Sequence, residues 1–216
     1  TICKQLYKAA EKEGFTCCIA FGRGASPDGF TTYQIDNKLE VYRHVIKARL
    51  LDASGFGSKH ATKKFIKWID EEFKPDIIHM HNLHGYYLHI ETFFDYLKLH
   101  PEIKKIWTLH DCWSFTGHCS HYTYAKCDQW IRGCSNKCPN KKKYPQSFIS
   151  RSKQNYLKKK RIISSVKNMF LVTPSQWLMK EANYSFLKEY PIQVINNGVD
   201  TTIFKPTPSD IKEKYG

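Results

Sequence analysis

The stretch PDIIHMHNLHGYYLHIETFFDYLKLHPEIKKIWTLHD, Pro75 to Asp111, reads as strand, loop, helix, strand. Ile77-Ile78-His79-Met80-His81 is an apolar run of strand length, Ile90 to Leu99 follows helical spacing, and Lys105 to Leu109 (KIWTL) is a second strand. Apolar strands separated by helices indicate a mostly parallel sheet covered on both faces. Upstream, helical spacing runs from Ile2 to a stop at Gly14. Phe15 to Phe21 is a buried-strand run closed by Gly22 and Gly24, and Ser58 to Phe73 is a helix with Phe65, Ile66 and Ile69 on one face. Downstream come a basic helix near Ser150 to Val166, a strand Met169 to Thr173, a helix Ser175 to Leu187 begun by Pro174 and Ser175, and a short strand Ile192 to Ile195. The expected fold is a doubly wound, Rossmann-like α/β domain over residues 1–200, with a cysteine-rich loop insertion at 112–139. A doubly wound domain usually opens with a strand and a glycine turn, and here a helix comes first, so the first strand is expected upstream. Residues 201–216 read as a linker, bounded by Pro206 and Pro208, and the start of a second domain. Asn197-Gly198-Val199-Asp200, with its NG turn signal, suits a hinge before that linker.

In open parallel sheets ligands bind beyond the carboxyl ends of the strands. His79 and His81 end one strand here, and His110 and Asp111 end another. A histidine at such a place can exchange a hydrogen bond with a bound hydroxyl or phosphate near neutral pH, and a neighbouring carboxylate can tune it or bind sugar hydroxyls. The plainer alternative is a His-Asp pair that caps the next turn. Strand alternation puts His79 and His81 on one face, so HMHNLHG, with Asn82, His84 and Gly85, could ligate a metal if His110 or Asp111 supplied a further ligand. Otherwise these side chains hydrogen-bond a ligand or the backbone. Trp113 and the aromatic residues after it suit stacking on sugars or bases.

The chain is 41% hydrophobic and 14% aromatic over 216 residues, enough for a real core. A net charge of +14 favours anionic partners. No run approaches the roughly 18 apolar residues of a membrane-spanning helix, and the start TICKQLYKAAEKEG is unlike a signal peptide, so the expected compartment is the cytoplasm. Clustered cysteines in a reducing compartment are metal ligands or reduced thiols more often than disulfides. Cys119, Cys127, Cys134 and Cys138 supply four thiols, with Cys112, His118 and His121 in reserve. A zinc ion held by the four would be structural, because four protein ligands leave no open position for chemistry.

Four segments in order, PDIIHMHNLHGYYLHIETFFDYL, IWTLHDCWSFTGHC with the spaced cysteines, LVTPSQWL and VINNGVDTTIFKP, resemble the N-terminal half of bacterial family 4 glycosyltransferases of the GT-B fold, in the colanic-acid and capsule branch. The resemblance implies transfer of a sugar from a nucleotide-sugar donor to a saccharide or lipid-linked acceptor, with retention at the anomeric carbon and no catalytic cofactor. By that likeness His110 and Asp111 are the active-site residues, and His79, His81, Asn82, His84, Gly85 and Trp113 line the acceptor cleft. It also implies that the donor is gripped by a second domain, so that this chain alone is inactive. The basic balance suits phosphate-rich donors and contact with the inner face of an anionic membrane. Two competing classes use the same residues: a zinc-stabilised basic nucleic-acid-binding domain, which would need a recognition helix or stacking sheet that the sequence lacks, and a metal-dependent hydrolase built on HMH and HD.

Overall fold

The computed structural model describes residues 2–215. The segment Pro75 to Asp111 forms the expected unit, with strands β3 (Ile77–Met80) and β4 (Lys104–Thr108) joined through helix α4 (Ile90–Leu99). Before it come α1 (Ile2–Lys12), β1 (Ile19–Phe21), β2 (Thr32–Gln34), α2 (Lys38–Leu51) and α3 (Lys59–Trp68). After it come α5 (Ser152–Ile163), β5 (Met169–Thr173), α6 (Gln176–Asn183), β6 (Ile192–Val194) and α7 (Ile211–Tyr215). Strands β3, β4, β5 and β6 lie in that order in one sheet, and β1 pairs with β2 in a second; every pairing is parallel. The architecture is α/β and Rossmann-like. Register sets Met80 against Trp107, Trp107 against Leu171, and Leu171 against Ile192.

One apolar core ties the larger sheet to its helices. Trp107 of β4, Met169 and Leu171 of β5, Phe93, Phe94 and Leu97 of α4, and Ile162 and Ile163 of α5 are all 3% exposed or less. Burial of each such side chain stabilises by about 1.5–3 kcal/mol. Lys105 alternates into this core beside Trp107, and its amine is satisfied by the carbonyl oxygen of His100.

The structure departs from the sequence reading in four places, one being that the helix expected to Leu187 stops at Asn183 and is followed by a separate 3-10 turn at Phe186–Glu189. Only Ile19–Phe21 of the run Phe15 to Phe21 is a strand. The amides of Gly14 and Phe15 fold back onto Glu11 and Ala10 of α1 at 3.0 Å each, so the chain closes the helix before it extends. The helix of residues 58–73 is α-helical to Trp68 and widens into a π turn at Ile69–Phe73, ended by Lys74 in the left-handed region at φ 48°. Residues 32–51, left unassigned by the sequence reading, hold β2 and α2. Asn37 caps α2 by accepting from the Glu40 amide at 3.0 Å.

Helix α2 buries only His44 and Ala48. The His44 Nε2 accepts from the Gly57 amide at 3.0 Å, which leaves Nδ1–H to donate to Ser58 Oγ at 2.9 Å. Burial, helped by the nearby charge of Lys47, pushes this imidazole down to about 4. The unfolded chain therefore takes up the proton first. The stability held above the ordinary histidine value of about 6.5 is lost as pH falls toward 4. Denaturant unfolding should show a loss of about 2 kcal/mol between pH 7 and pH 5 from this residue. Equal midpoints at the two pH values would contradict it.

Candidate functional site

Beyond the carboxyl ends of β3 and β4 lies a cavity lined by His81, Asn82, His84, His110, Asp111 and Trp113, among others. Its floor follows from strand alternation. The rings of His79 and His81 stack with centroids 4.5 Å apart, and the His81 and His110 rings stack at 5.3 Å. His81 Nδ1 and His110 Nε2 share a hydrogen bond of 3.0 Å, and His79 Nε2 meets Thr108 Oγ1 at 2.8 Å. Burial lowers all three imidazoles, and His81, pressed further by His79 and His110, falls to about 3. At neutral pH the floor is a set of neutral rings that can each donate one hydrogen bond and accept another.

Asp111 is held from both sides. His84 Nε2–H donates to Oδ2 at 2.8 Å, and the Trp113 amide donates to Oδ1 at 2.9 Å. Burial pushes this carboxyl up, but those two hydrogen bonds outweigh it and leave it below the usual carboxylate range. The other nitrogen of His84 accepts from the Tyr144 hydroxyl at 3.2 Å, which fixes the tautomer and extends the network to a residue 60 positions away. Asp111 thus serves in part as the cap of the next turn, while His110, bonded only to His81 among side chains, lines the cavity beside it; both are partly exposed.

Asn82 is exposed, and its carbonyl oxygen receives the Tyr87 hydroxyl at 2.8 Å. Gly85 and Gly22 make room for the Tyr87 ring: a Cβ would stand 2.8 Å from it at Gly85 and 1.9 Å at Gly22. Trp113 lines the cavity but is only 2% exposed, so it offers no free face for stacking. Its ring packs edge-on to Gly55 and under Lys159 Nζ, 3.9 Å from the ring centroid, while the same amine donates to the Trp113 carbonyl at 2.5 Å. Burial pushes Lys159 down to about 7. The sequence reading missed Arg23, on the glycine turn after β1, with its guanidinium 5.6 Å over the Tyr86 ring, and missed Tyr86 and Tyr144, whose rings lie 6.2 Å apart. The FGRG turn was the available signal for Arg23.

The cysteine segment lies between β4 and α5, with short 3-10 turns at Thr123–Ala125 and Gln129–Arg132 and a filling of Phe115, Tyr122 and Trp130. The Cys119 and Cys138 thiols lie close to each other, and that pairing pulls Cys119 below the ordinary thiol range and pushes Cys138 above it. Burial raises Cys127, and raises Cys134 to about 11 while its sulfur accepts from the Gly117 amide at 3.3 Å. Among the described residues no three His, Cys, Asp or Glu side chains are placed to hold one metal ion, in this loop or at His79 and His81. The reserve ligands are engaged elsewhere or turned away. Cys112 is fully buried in the core, His121 is exposed, and His118 Nδ1 meets the buried Asp52 Oδ1 at 2.5 Å. Asp52 Oδ2 also accepts from the Arg151 amide at 2.7 Å, joining α2 to the start of α5.

At the proposed hinge, Asn197, Gly198 and Asp200 are exposed. No turn forms at Asn197-Gly198. The turn comes later, where Asp200 Oδ1 accepts from the Thr202 amide at 3.0 Å and its carbonyl oxygen accepts from the Phe204 amide at 2.8 Å. Residues 201–215 are exposed throughout.

The family described as Glycosyltransferase Family 4 matches residues 1–203. The Escherichia coli (strain K12) protein named "Putative colanic acid biosynthesis glycosyl transferase WcaC" is 28% identical over 210 residues, covering 90% of this chain and 50% of that protein. The chain therefore spans about half the length of the relative it matches. No solved structure matches it.

Proposed function

The chain belongs to glycosyltransferase family 4, and from that premise we propose that it is the acceptor-side half of an enzyme that moves a sugar from a nucleotide-sugar donor to a saccharide or lipid-linked acceptor in surface polysaccharide synthesis. The observation that carries the site assignment is the neutral His81–His110 pair at the carboxyl ends of two adjacent parallel strands. In the transfer the bond from the anomeric carbon to the diphosphate breaks and a bond to the acceptor oxygen forms. The acceptor proton leaves on the departing phosphate, with retention of configuration. With His81 donating to His110 Nε2, His110 keeps a proton on Nδ1 and presents it to a hydroxyl of the transferring sugar. Asp111, occupied by His84 and Trp113, positions the turn that carries His110. Arg23 brings a cation to the same rim and would meet a phosphate.

The strand order supports a domain that continues upstream. A doubly wound sheet places its first strand at the centre, in the order 3-2-1-4-5-6. Here the pair β2-β1 and the sheet β3-β4-β5-β6 would follow that order, extended by a seventh strand at the β6 edge, with one parallel strand between β1 and β3. The donor would be held by a second domain after the exposed segment 201–215, across a hinge at residues 197–200, with the enzyme working in the cytoplasm.

One nitrogen of each ring, His79 Nε2 and His81 Nδ1, is engaged by Thr108 and His110, and among the described residues no further ligands are gathered with them to hold a metal, which argues against the hydrolase reading. We keep the four cysteines outside the chemistry, as thiols whose donor type suits one structural zinc once the sulfurs close on it. Metal analysis of purified protein should return about one zinc per chain, lost in Cys138→Ser; no zinc would remove the ion from the proposal. The test of the function is a transfer assay, with full-length protein given a panel of labelled nucleotide sugars and a lipid extract as acceptor source. Label should appear in a saccharide or lipid product, and release of nucleotide without any glycosylated product would argue against the assignment.

A further inference from the structure

A second cavity opens where helix α2 faces the starting turns of α3 and α4. It measures about 210 Å³ and shares no lining residue with the cavity at His110. At about 30 Å³ per water molecule it has room for several waters, or for one small ligand. Its walls are cationic: Arg43 and Lys47 stand one turn apart on α2, and Lys59 opens α3. The carboxylate among them, Glu40, is already paired through Oε1 with Arg43 at 2.7 Å. Three cations against one carboxylate leave an excess of positive charge at the pocket. Lys47 uses one hydrogen on the Phe56 carbonyl at 2.9 Å and has two left. Lys59 is exposed and, among the described residues, in no ion pair. Lys158, with Nζ 4.6 Å over the Phe56 ring, is paired with Glu91 at 2.6 Å and adds little.

Uncharged donors point to the same kind of ligand. His89 lines the pocket and is 7% exposed, and its Nδ1 accepts from the Thr92 amide at 3.2 Å, so its hydrogen sits on Nε2. That Nε2–H has no partner among the described residues. Ser58 begins α3 in the left-handed region at φ 55°, and its hydroxyl is taken by His44 Nδ1–H at 2.9 Å, so no side chain caps the helix. The uncapped first amides of this ten-residue helix favour negative charge. An oxyanion answers all of these groups at once, whereas a neutral ligand would leave the cations unmatched. Glu40 Oε2, which Arg43 leaves unused, can accept from a hydroxyl on the same ligand. We propose that this pocket binds a small soluble sugar that carries a phosphate or a carboxylate. His44 joins the pocket to the rim of the candidate site, its ring edge-on to Tyr86 at 5.7 Å with Arg23 over that same tyrosine. The proposal rests on the pocket and is independent of the transfer reading.

The test is isothermal titration calorimetry of the full-length protein with glucose-6-phosphate, glucuronate and glucose. At least one of the two acidic sugars should bind saturably, and which of them binds tells a phosphate site from a carboxylate site. Glucose should bind about tenfold more weakly or not at all, the scale of losing hydrogen bonds to a charged group. The double variant Lys47→Gln, Lys59→Gln should lose about tenfold or more in affinity for the acidic sugar, with circular dichroism unchanged. Lys104→Gln, exposed at the amino end of β4, should lose nothing. His89→Asn retains a capping side chain for α4 but removes the Nε2–H, and should weaken binding severalfold. Failure of both acidic sugars to bind, equal binding of glucose, or binding that survives the double lysine variant overturns the proposal. So does binding that is lost in Arg23→Ala and unchanged in the lysine variant, which would put the anion at the candidate site instead. Sugar transfer is not read in any arm, so failure here leaves the enzymatic reading standing.

Discussion

Replacing His110 with alanine in the full-length enzyme is expected to lower kcat for sugar transfer by roughly a hundredfold to a thousandfold, the effect of removing one preorganised donor from a developing charge, while the melting temperature moves little. The imidazole is partly exposed at the cavity, its one side-chain partner is His81 at 3.0 Å, and it is not part of the apolar core. Its loss removes a hydrogen bond without opening a large void. Because burial lowers His110 below the ordinary histidine range, the rate should stay level through the pH at which a free imidazole titrates and fall only at more acid pH. Steady-state kinetics of the variant and wild type across pH check both statements. A variant that keeps wild-type kcat, or one that melts many degrees lower, would remove His110 from the chemistry.

The largest stability effect is expected at Gly117. A Cβ there would stand 2.0 Å from the Ser152 carbonyl oxygen and 2.7 and 2.9 Å from its carbonyl carbon and Cα. These are backbone atoms at the start of α5, and no rotamer change can relieve the contact. Ser152 is itself fixed by its hydroxyl on the Ser135 carbonyl, and the Gly117 amide is fixed on Cys134. Gly117→Ala must therefore push the cysteine loop away from α5. The expected penalty is about 3 kcal/mol or more, a fall in melting temperature of roughly 10 °C for a domain of this size. Gly198→Ala is the control, since a Cβ there meets nothing within 4 Å. Thermal unfolding of both decides it, and equal melting of the Gly117 variant and wild type would show that the loop is not held against α5 as described.

The sequence was most readable where apolar runs are long and end in clear punctuation. Met169–Thr173 and Ile90–Leu99 have the boundaries that alternation and helical spacing predict. Helix α2 escaped that reading for a physical reason: its apolar row faces solvent and its buried face is a histidine and an alanine, so no polar outer face marks it as a core helix. At the site, the strand-end rule located His81 and His110, and period-two alternation placed His79 beside His81. The turn cap through Trp113 was legible, but the His84 partner of Asp111 was out of reach, because it lies 27 residues away and is itself held by Tyr144, 60 residues further along the chain from His84. Trp113 shows a limit of composition: an aromatic ring beside polar groups reads the same whether it stacks on a sugar or, as here, packs against a glycine and beneath a buried lysine.

The most direct measurement is a crystal structure of the full-length protein with a non-hydrolysable nucleotide sugar and an acceptor fragment. The account predicts the transferring sugar beyond the carboxyl ends of β3 and β4, with a hydroxyl within about 3.2 Å of the His110 imidazole and the acceptor on the side of Tyr144 and Arg23. A sugar bound elsewhere, with the His81–His110 pair facing only solvent or the other domain, would contradict it.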